Sequence, residues 1–322
     1  MISHVLALLC VIAPVFALIL LGRALRGVGL VTEAGAADLH RVVYWVGLPA
    51  QLVVAIGSSD VRAFADPRAI VVALAAYWLA FIASWFATAR LPPAERGSVL
   101  SGVVRGNGAF IGLPVILLLG STLPASERER VTSIYLVLLG IMVPCFNIGA
   151  MIGFMLPRHG LTGAGLRRTV VESLTNPLLI GCAIGIGISL SRVPLFTTTE
   201  PVEHAAASAL TMLGNAAVPL ALLLVGYQLD VALMRRRVAL LATTSVVKLL
   251  LVPLLTYALG RWAGLDRAAL TAVVVLMAAP TAMASVPMAR VLGADADLMA
   301  SIVVVTTAFS LFGMLLWLAV LG

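Results

Sequence analysis

Charged residues are scarce in this sequence. Lys, Arg, Asp and Glu together make up 11% of its 322 residues, whereas hydrophobic residues make up 61%. A chain this poor in charge cannot cover a water-soluble core with polar surface, which excludes an ordinary soluble fold. Long polar or low-complexity stretches are also missing, so no segment predicts a separate soluble domain. The composition therefore predicts an integral membrane protein embedded in a lipid bilayer.

The residue types that carry catalytic and metal chemistry are also rare. The sequence has three cysteines, all in apolar surroundings and without CxxC spacing: Cys10, Cys145 and Cys182. It contains no HExxH motif, no aspartate cluster and no nucleophile paired with a base at a recognisable spacing. We therefore expect no enzymatic activity, no metal site and no cofactor. The net charge of +7 would suit a nucleic-acid partner, but the arginines lie in short loops between apolar segments, which excludes that interpretation.

Apolar segments of membrane length follow one another along the chain. The ten predicted spans cover residues 4–22, 37–56, 69–90, 99–119, 131–156, 171–190, 205–229, 237–259, 268–291 and 298–320. Arginines are more frequent in the loops after odd-numbered spans than in the loops after even-numbered spans. Because positively charged loops stay in the cytoplasm, we predict a multi-pass protein of the cell inner membrane with both termini extracytoplasmic.

Two of the predicted spans, the fourth and the ninth, are interrupted near their middle. Their sequences are Asn107-Gly-Ala-Phe-Ile-Gly-Leu-Pro114 and Pro280-Thr-Ala-Met-Ala-Ser-Val-Pro287. Proline and glycine remove or weaken backbone hydrogen bonds, and irregular backbone at membrane depth is tolerated only inside protein or along a cavity. A matched pair of interrupted helices in the two halves of a chain points to the binding site of a secondary transporter.

The two halves of the chain echo each other in the placement of proline. Three pairs match at offsets of 163, 170 and 173 residues: Pro14 with Pro177, Pro49 with Pro219, and Pro114 with Pro287. Because each copy has an odd number of spans, five, the second copy enters the membrane in the opposite orientation. We therefore predict an all-α fold of ten transmembrane helices. It forms a single membrane domain built as a five-plus-five inverted repeat of residues 1–160 and 161–322.

Several motifs occur in a recognisable order along the chain. They are Asn107-Gly-x-x-x-Gly112-x-Pro114, Asn176-Pro177, the run from Leu213 through Asn215 and Pro219 to Gly226, Lys248 with Pro253, and Ala279-Pro280-Thr281 through Gly293. In type, order and spacing they resemble the auxin efflux carrier family, which includes bacterial malate-permease-like proteins and plant PIN-type carriers. The resemblance covers essentially the whole chain. The long central hydrophilic loop of many plant members is missing, so regulation through such a loop is not expected.

The resemblance implies a scaffold domain and a transport domain. It also implies that helices 4 and 9 are broken and cross at the binding site, that the substrate is an organic anion, and that the protein forms a homodimer. The sequence itself does not separate malate, other carboxylates and indole-type acids, and it does not fix the direction of transport.

Polar residues beside the interruptions are candidates for substrate binding. The amide of Asn107 can donate to a carboxylate or cap the helix that follows, and we favour the binding role. Thr281 and Ser285 flank the second interruption, where their hydroxyls serve either the substrate or nearby helix carbonyls. Asn147 is expected to bond between helices instead. The remaining candidates frame the interruptions or lie beside other prolines: Pro114, Pro280, Pro287, Gln51 and Asn215.

Two basic residues lie inside predicted spans, where charge is rare and usually functional. Arg105 precedes the first interruption and Lys248 lies midway along span 8. A cation at either position suits an anionic substrate. The alternative is snorkelling, in which the long side chain carries its charge to the membrane interface. We favour the binding role for Lys248, and both interpretations remain open for Arg105.

The sequence therefore predicts a secondary transporter, an efflux carrier or permease for small organic anions such as carboxylates or auxin-like acids. Alternating access would take place where helices 4 and 9 cross. The second interruption carries no acid, and no histidine is clearly at mid-membrane, which favours uniport driven by the membrane potential. The alternatives are a sodium- or proton-coupled organic-acid symporter of the bile-acid-transporter type, and an anion channel.

Overall fold

A computed structural model describes residues 2–58, 66–159, 171, 175, 177–191, 195–196, 201–228 and 237–321. Regular structure in this part of the chain is helical, and the single β-type pairing there is an isolated bridge between Gly106 and Thr281. Six of the described helices are long and apolar enough to cross a membrane. The prediction of an all-helical, multi-pass membrane protein is therefore confirmed, whereas the count of ten spans stays a prediction.

We number the helices in chain order. In the first half they are α1 (Ile2–Gly27), α2 (Glu33–Gly57), α3 (Pro67–Ala87), α4 (Pro93–Val104), α5 (Gly108–Ser121) and α6 (Ala125–His159). In the second half they are α7 (Pro177–Ser191), α8 (Pro201–Gln228), α9 (Val238–Trp262), α10 (Arg267–Ala278), α11 (Ser285–Val291) and α12 (Ala296–Leu321). Three apolar helices, α5, α7 and α10, are shorter than a membrane span.

Three of these helices contain one turn of π-helix just before a proline. The π turns are Val43–Gly47 in α2, Gly108–Gly112 in α5 and Val247–Leu251 in α9, and the prolines that follow are Pro49, Pro114 and Pro253. A proline lacks an N–H donor and its ring crowds the carbonyl one turn earlier, so a wider preceding turn accommodates it. These prolines therefore lie within continuous helices and do not end them.

The helices pack in two groups. Helices α1, α2, α7 and α8 contact mainly one another, and we call them the first group. The second group consists of α3 to α6 and α9 to α12. Within the first group the backbones approach closely at glycines: a Cβ on Gly226 of α8 would overlap the carbonyl of Ile19 in α1. Small residues permit such close contacts between membrane helices.

Helix α10 lies at the centre of the second group. Residues 269–278 are all buried, which agrees with a helix that is apolar on every side. A helix that is hydrophobic all round is a core helix, and α6, α9 and α12 all pack against it. The C-terminal end of α10 consequently lies inside the protein and not at a solvated surface.

Candidate functional site

The candidate site is built from two non-helical stretches of the second group. Helices α4 and α5 are separated by residues 105–107, which we call the first gap. Helices α10 and α11 are separated by residues 279–284, which we call the second gap. The gaps overlap the interruptions predicted at Asn107–Pro114 and Pro280–Pro287, although Pro114 lies within α5; that each gap breaks a single membrane helix stays a prediction.

The backbones of the two gaps pair with each other. The N–H of Asn107 donates to the carbonyl of Pro280 at 2.7 Å, and the N–H of Ala282 donates to the carbonyl of Arg105 at 2.9 Å. Both bonds flank the antiparallel bridge between Gly106 and Thr281. Helix ends buried in a membrane protein must satisfy their backbone groups internally, and each gap does this for the other.

Asn107 caps the helix that follows the first gap and retains a free donor. Its side-chain Oδ1 accepts a hydrogen bond from the N–H of Phe110 at 3.3 Å, at the start of α5. Its Nδ2 is buried and has no hydrogen-bond partner among the described residues. A buried donor without a partner is costly, and in a native protein it calls for a specific explanation such as a ligand.

Arg105 places a buried guanidinium beside this amide. Nη2 donates to Oδ1 of Asn147 at 2.8 Å. Nη1 contacts Oγ of Ser285 at 3.3 Å and Sδ of Met288 at 3.0 Å. All three partners are neutral, and no carboxylate of the described chain forms an ion pair with Arg105. The charge is therefore held in place but not neutralised, which is the condition for attracting an anion.

A cavity of about 70 Å³ lies between the two helix groups at this point. Its polar lining consists of His40, Tyr44, Arg105, Asn107 and Asn147. A cavity of this size holds several water molecules or one small charged group. Because the first two residues belong to α2 and the last three to the second group, any relative movement of the groups would reshape the cavity.

His40 and Tyr44 are lining residues that the sequence did not single out. The imidazole of His40 stacks on Phe110 at a centroid distance of 5.7 Å and on Tyr44 at 6.2 Å. The His40 and Phe110 rings come from different helix groups and from distant parts of the chain. The one sequence signal was the spacing of His40 and Tyr44, which puts both rings on one face of α2. Asn147, expected only to bond between helices, does so with Arg105 and also lines the cavity.

Lys248 lies behind the gaps and does not line this cavity. Its side chain is 1% exposed, and Nζ donates to the backbone carbonyl of Met277 at 3.2 Å. The ammonium therefore ends at the C-terminal turn of α10 and does not snorkel to a membrane interface. No ion pair between Lys248 and a carboxylate is found in the described ranges.

The other candidates of the second gap surround the cavity without lining it. Pro280 contributes its carbonyl to Asn107, as described above. Thr281 is fully buried and its Oγ1 donates to the carbonyl of Gly102 at 2.6 Å, so this hydroxyl ties the second gap to α4. Ser285, also fully buried, contacts Arg105. Pro287 lies in α11, and its side chain is outside the described part of the structure.

The remaining candidates lie away from the cavity. Pro114 is buried within α5. Gln51 is half-buried between α2 and α8, where a Cβ on Gly214 would come within 2.7 Å of its Oε1. Asn215 is exposed on the outer face of α8. Of the ten predicted residues, Arg105 and Asn107 line the cavity. The substrate-binding roles of all ten stay predictions.

Comparison with known proteins identifies the family. A family model described as membrane transport protein matches residues 7–165 and 161–318. An uncharacterized transporter of Methanothermobacter thermautotrophicus is 23% identical over 318 residues, which cover 96% of this chain and 97% of that protein. An uncharacterized transporter of Methanocaldococcus jannaschii is 22% identical over 319 residues, 95% of this chain and 96% of that one. The chain therefore belongs to this family of membrane transport proteins, the auxin efflux carrier family that its motifs resemble.

Proposed function

We propose that the protein is a secondary transporter of small organic anions and that the carboxylate group of the substrate binds at the two gaps. The observation that carries this proposal is that Arg105 and Asn107 each bring a buried donor to one cavity. One supplies a buried positive charge without a carboxylate partner in the described chain, and the other supplies a buried amide donor without a partner there. Both line the same cavity. Charge-assisted hydrogen bonds from a guanidinium to a carboxylate are among the strongest available to a protein.

In the proposed architecture the two gaps are the breaks of the fourth and ninth membrane helices. Helices α4 and α5 then form one span, and α10 and α11 form the corresponding span of an inverted repeat. Two findings support this arrangement. Within the described residues each half contains six helices, α1 to α6 and α7 to α12, with a gap before the fifth of each. The family match also divides at residues 161–165, at the predicted boundary between the repeats.

Transport follows from movement of one helix group against the other. The cavity lies where the groups meet, and the gaps belong to a single group, so a carboxylate bound to Arg105 would travel with that group. His40 and Tyr44 lie near the start of α2, which follows a loop predicted to be cytoplasmic. We therefore propose that the cavity lies toward the cytoplasmic side of an inner membrane, with both termini outside.

Uniport requires the fewest assumptions about energy coupling. An inside-negative potential drives an anion outward by about 2.3 kcal/mol per charge per 100 mV, so export needs no coupled ion. The position of His40 favours proton-coupled transport as the second candidate. Its imidazole lines the cavity with Arg105, and histidine is the side chain that exchanges protons most readily near neutral pH.

We also propose a homodimer formed through the first helix group. Asn215 lies midway along α8 and is exposed, as are Met212 and Trp45 in the same group. An amide facing lipid at mid-membrane is unfavourable, and asparagine commonly bonds to a partner helix in such positions. Cysteine crosslinking at position 215, in a background without native cysteines, should trap a dimer if this face is the interface.

The test is transport of labelled carboxylates into proteoliposomes, with a panel of small and aromatic acids and an imposed potential. Arg105→Gln removes the charge while keeping a polar side chain. The loss of a hydrogen-bonded charge costs about 1.5–3 kcal/mol, so substrate affinity should fall about 10- to 100-fold.

The matched control is Arg96→Gln. Arg96 lies on α4, the helix that leads into the first gap, but it stacks on Trp85 at 3.7 Å and is not part of the cavity lining. Transport by Arg96→Gln should stay close to that of the parent. Equal loss in both variants would show that the effect is general to α4, and unchanged transport in Arg105→Gln would remove the proposed anion site.

A further inference from the structure

The C-terminal end of α10 is a site of negative partial charge inside the protein. The last carbonyls of a helix lack intrahelical donors, and the helix dipole adds a negative potential there. Water cannot solvate this end from the sides, because residues 269–278 are all buried. In secondary transporters, such interrupted helix ends are where backbone carbonyls coordinate a coupling cation. The second gap therefore has the electrostatic character of a cation site.

A side-chain ammonium already occupies that position. Nζ of Lys248 donates to the carbonyl of Met277 at 3.2 Å. Gly106 of the first gap lies close to the same helix end. A Cβ on this glycine would be 3.3 Å from Nζ of Lys248, 3.5 Å from the Leu276 carbonyl oxygen and 3.7 Å from the Ala279 carbonyl oxygen. The ammonium thus bonds directly to one carbonyl at the end of α10, that of Met277, and the Leu276 and Ala279 carbonyls approach the same glycine. No carboxylate from the described ranges pairs with it there.

We infer that the Lys248 ammonium is a tethered cation that replaces a bound coupling ion such as sodium at the C-terminal end of α10. The inference rests on the proposed transport function and specifies its coupling. Backbone carbonyls at the end of α10 would be the oxygen ligands of such an ion, and the chain supplies its own cation to that of Met277. Sodium then has no place to bind, and transport is independent of it.

This role differs from direct contact with substrate. Lys248 does not line the cavity that contains Arg105, and Gly106 separates the two regions. A buried ammonium is stable only when dipoles or counter-charges compensate the loss of water, and the end of α10 provides the dipole.

The test uses the purified full-length protein and sodium as the probe, so it needs no substrate. Lys248→Ala removes the ammonium and leaves space beside the same carbonyls. Thermal unfolding in detergent is compared in sodium chloride and in choline chloride at equal ionic strength. The parent should unfold at the same temperature in both salts. In choline chloride, Lys248→Ala should be less stable than the parent. Sodium at about 100 times the dissociation constant of the new site should raise the unfolding midpoint of this variant by about 3–5 °C.

Lys248→Arg is the matched control because it keeps a cation at the site, and it should remain insensitive to sodium. Sodium stabilisation of the parent would overturn the inference. So would a folded Lys248→Ala that responds equally to sodium and choline. If Lys248→Ala does not fold, the same unfolding comparison is made with Lys248→Met. Transport by the parent protein is also measured with and without a sodium gradient. Transport that requires sodium contradicts the inference, and transport without sodium supports it. Because the stability measurement is independent of carboxylates, it stands even if the proposed substrate class proves wrong.

Discussion

The two gaps occupy corresponding places in the two halves of the proposed repeat, yet they differ in how they carry charge. The first gap has a cation of its own, Arg105. The second gap, residues 279–284, has no charged residue, and its cation arrives from α9 as Lys248. The carbonyls next to the gaps differ in the same way. The carbonyl of Gly108 accepts from the neutral hydroxyl of Tyr135 at 2.9 Å, whereas that of Met277 accepts from the ammonium.

This difference indicates separate roles for the two buried basic residues, Arg105 and Lys248. A neutral donor satisfies the backbone at the first gap, so the charge of Arg105 remains available to the cavity. At the second gap the charge is committed to the helix end, so it stabilises the fold at that point and leaves the cavity unchanged. In the proposed mechanism the two gaps are therefore asymmetric in function: the first attracts the anion, and the second carries a fixed cation.

The largest effect, a loss of stability, is expected at the first gap from Gly112→Ala. A Cβ at this position would overlap the Tyr135 hydroxyl that bonds to Gly108. Overpacking of this kind costs about 1–3 kcal/mol or more, and we expect a clear fall in the thermal midpoint of the purified protein.

A double variant, Gly112→Ala with Tyr135→Phe, tests the cause of this loss of stability. Removing the hydroxyl makes room for the new methyl group, so the double variant should recover part of the lost stability. Tyr135→Phe alone should cost less, about 0.5–1.5 kcal/mol, because the Gly108 carbonyl loses the tyrosine hydroxyl but keeps the bond from the backbone N–H of Leu113. A Gly112→Ala protein as stable as the parent would contradict this description of the first gap.

The next effect concerns the charge of Arg105 itself, which Asn147→Asp should neutralise. The new carboxylate would replace an amide oxygen that lies 2.8 Å from the guanidinium. An ion pair at that distance removes the attraction for a substrate anion, so affinity should fall about 10- to 100-fold while the protein stays folded. Isothermal calorimetry with a transported carboxylate measures it. Asn147→Ala, which leaves the charge in place, should lose less, and equal affinity in Asn147→Asp and the parent would refute the assignment.

The sequence predicted the gaps and their local chemistry, because proline, glycine and asparagine mark helix ends directly. It could not predict His40, whose partner Phe110 comes from another helix group, nor the partner of Lys248, because a backbone carbonyl has no sequence signature. Gln51 was selected for its nearness to Pro49. The structure shows that a π turn absorbs this proline within a continuous helix, and Gln51 does not line the cavity that contains Arg105.

A smaller effect is expected from Asn107→Ala, which removes one donor from the cavity and one cap from α5. Substrate affinity should fall about tenfold through loss of Nδ2, and stability should fall by about 1 kcal/mol through loss of the cap. Asn107→Asp separates these roles, because a carboxylate keeps the acceptor for Phe110 but repels an anion. Its thermal midpoint should match that of the parent while binding is lost. If Asn107→Asp binds the carboxylate normally, Asn107 is only a cap.

The smallest effect is expected from Ser285→Ala, and it tests the separation of the two gaps most directly. The Ser285 hydroxyl lies at the end of the second gap and contacts Arg105 at 3.3 Å, a longer distance than the 2.8 Å bond to Asn147. Because the shorter bond holds the guanidinium, carboxylate affinity should change less than about threefold, which corresponds to about 0.6 kcal/mol. Binding measured alongside Asn147→Ala gives the comparison. A loss in Ser285→Ala as large as in Arg105→Gln would mean that the second gap orients the anion-binding charge, and the two gaps would then act as one site.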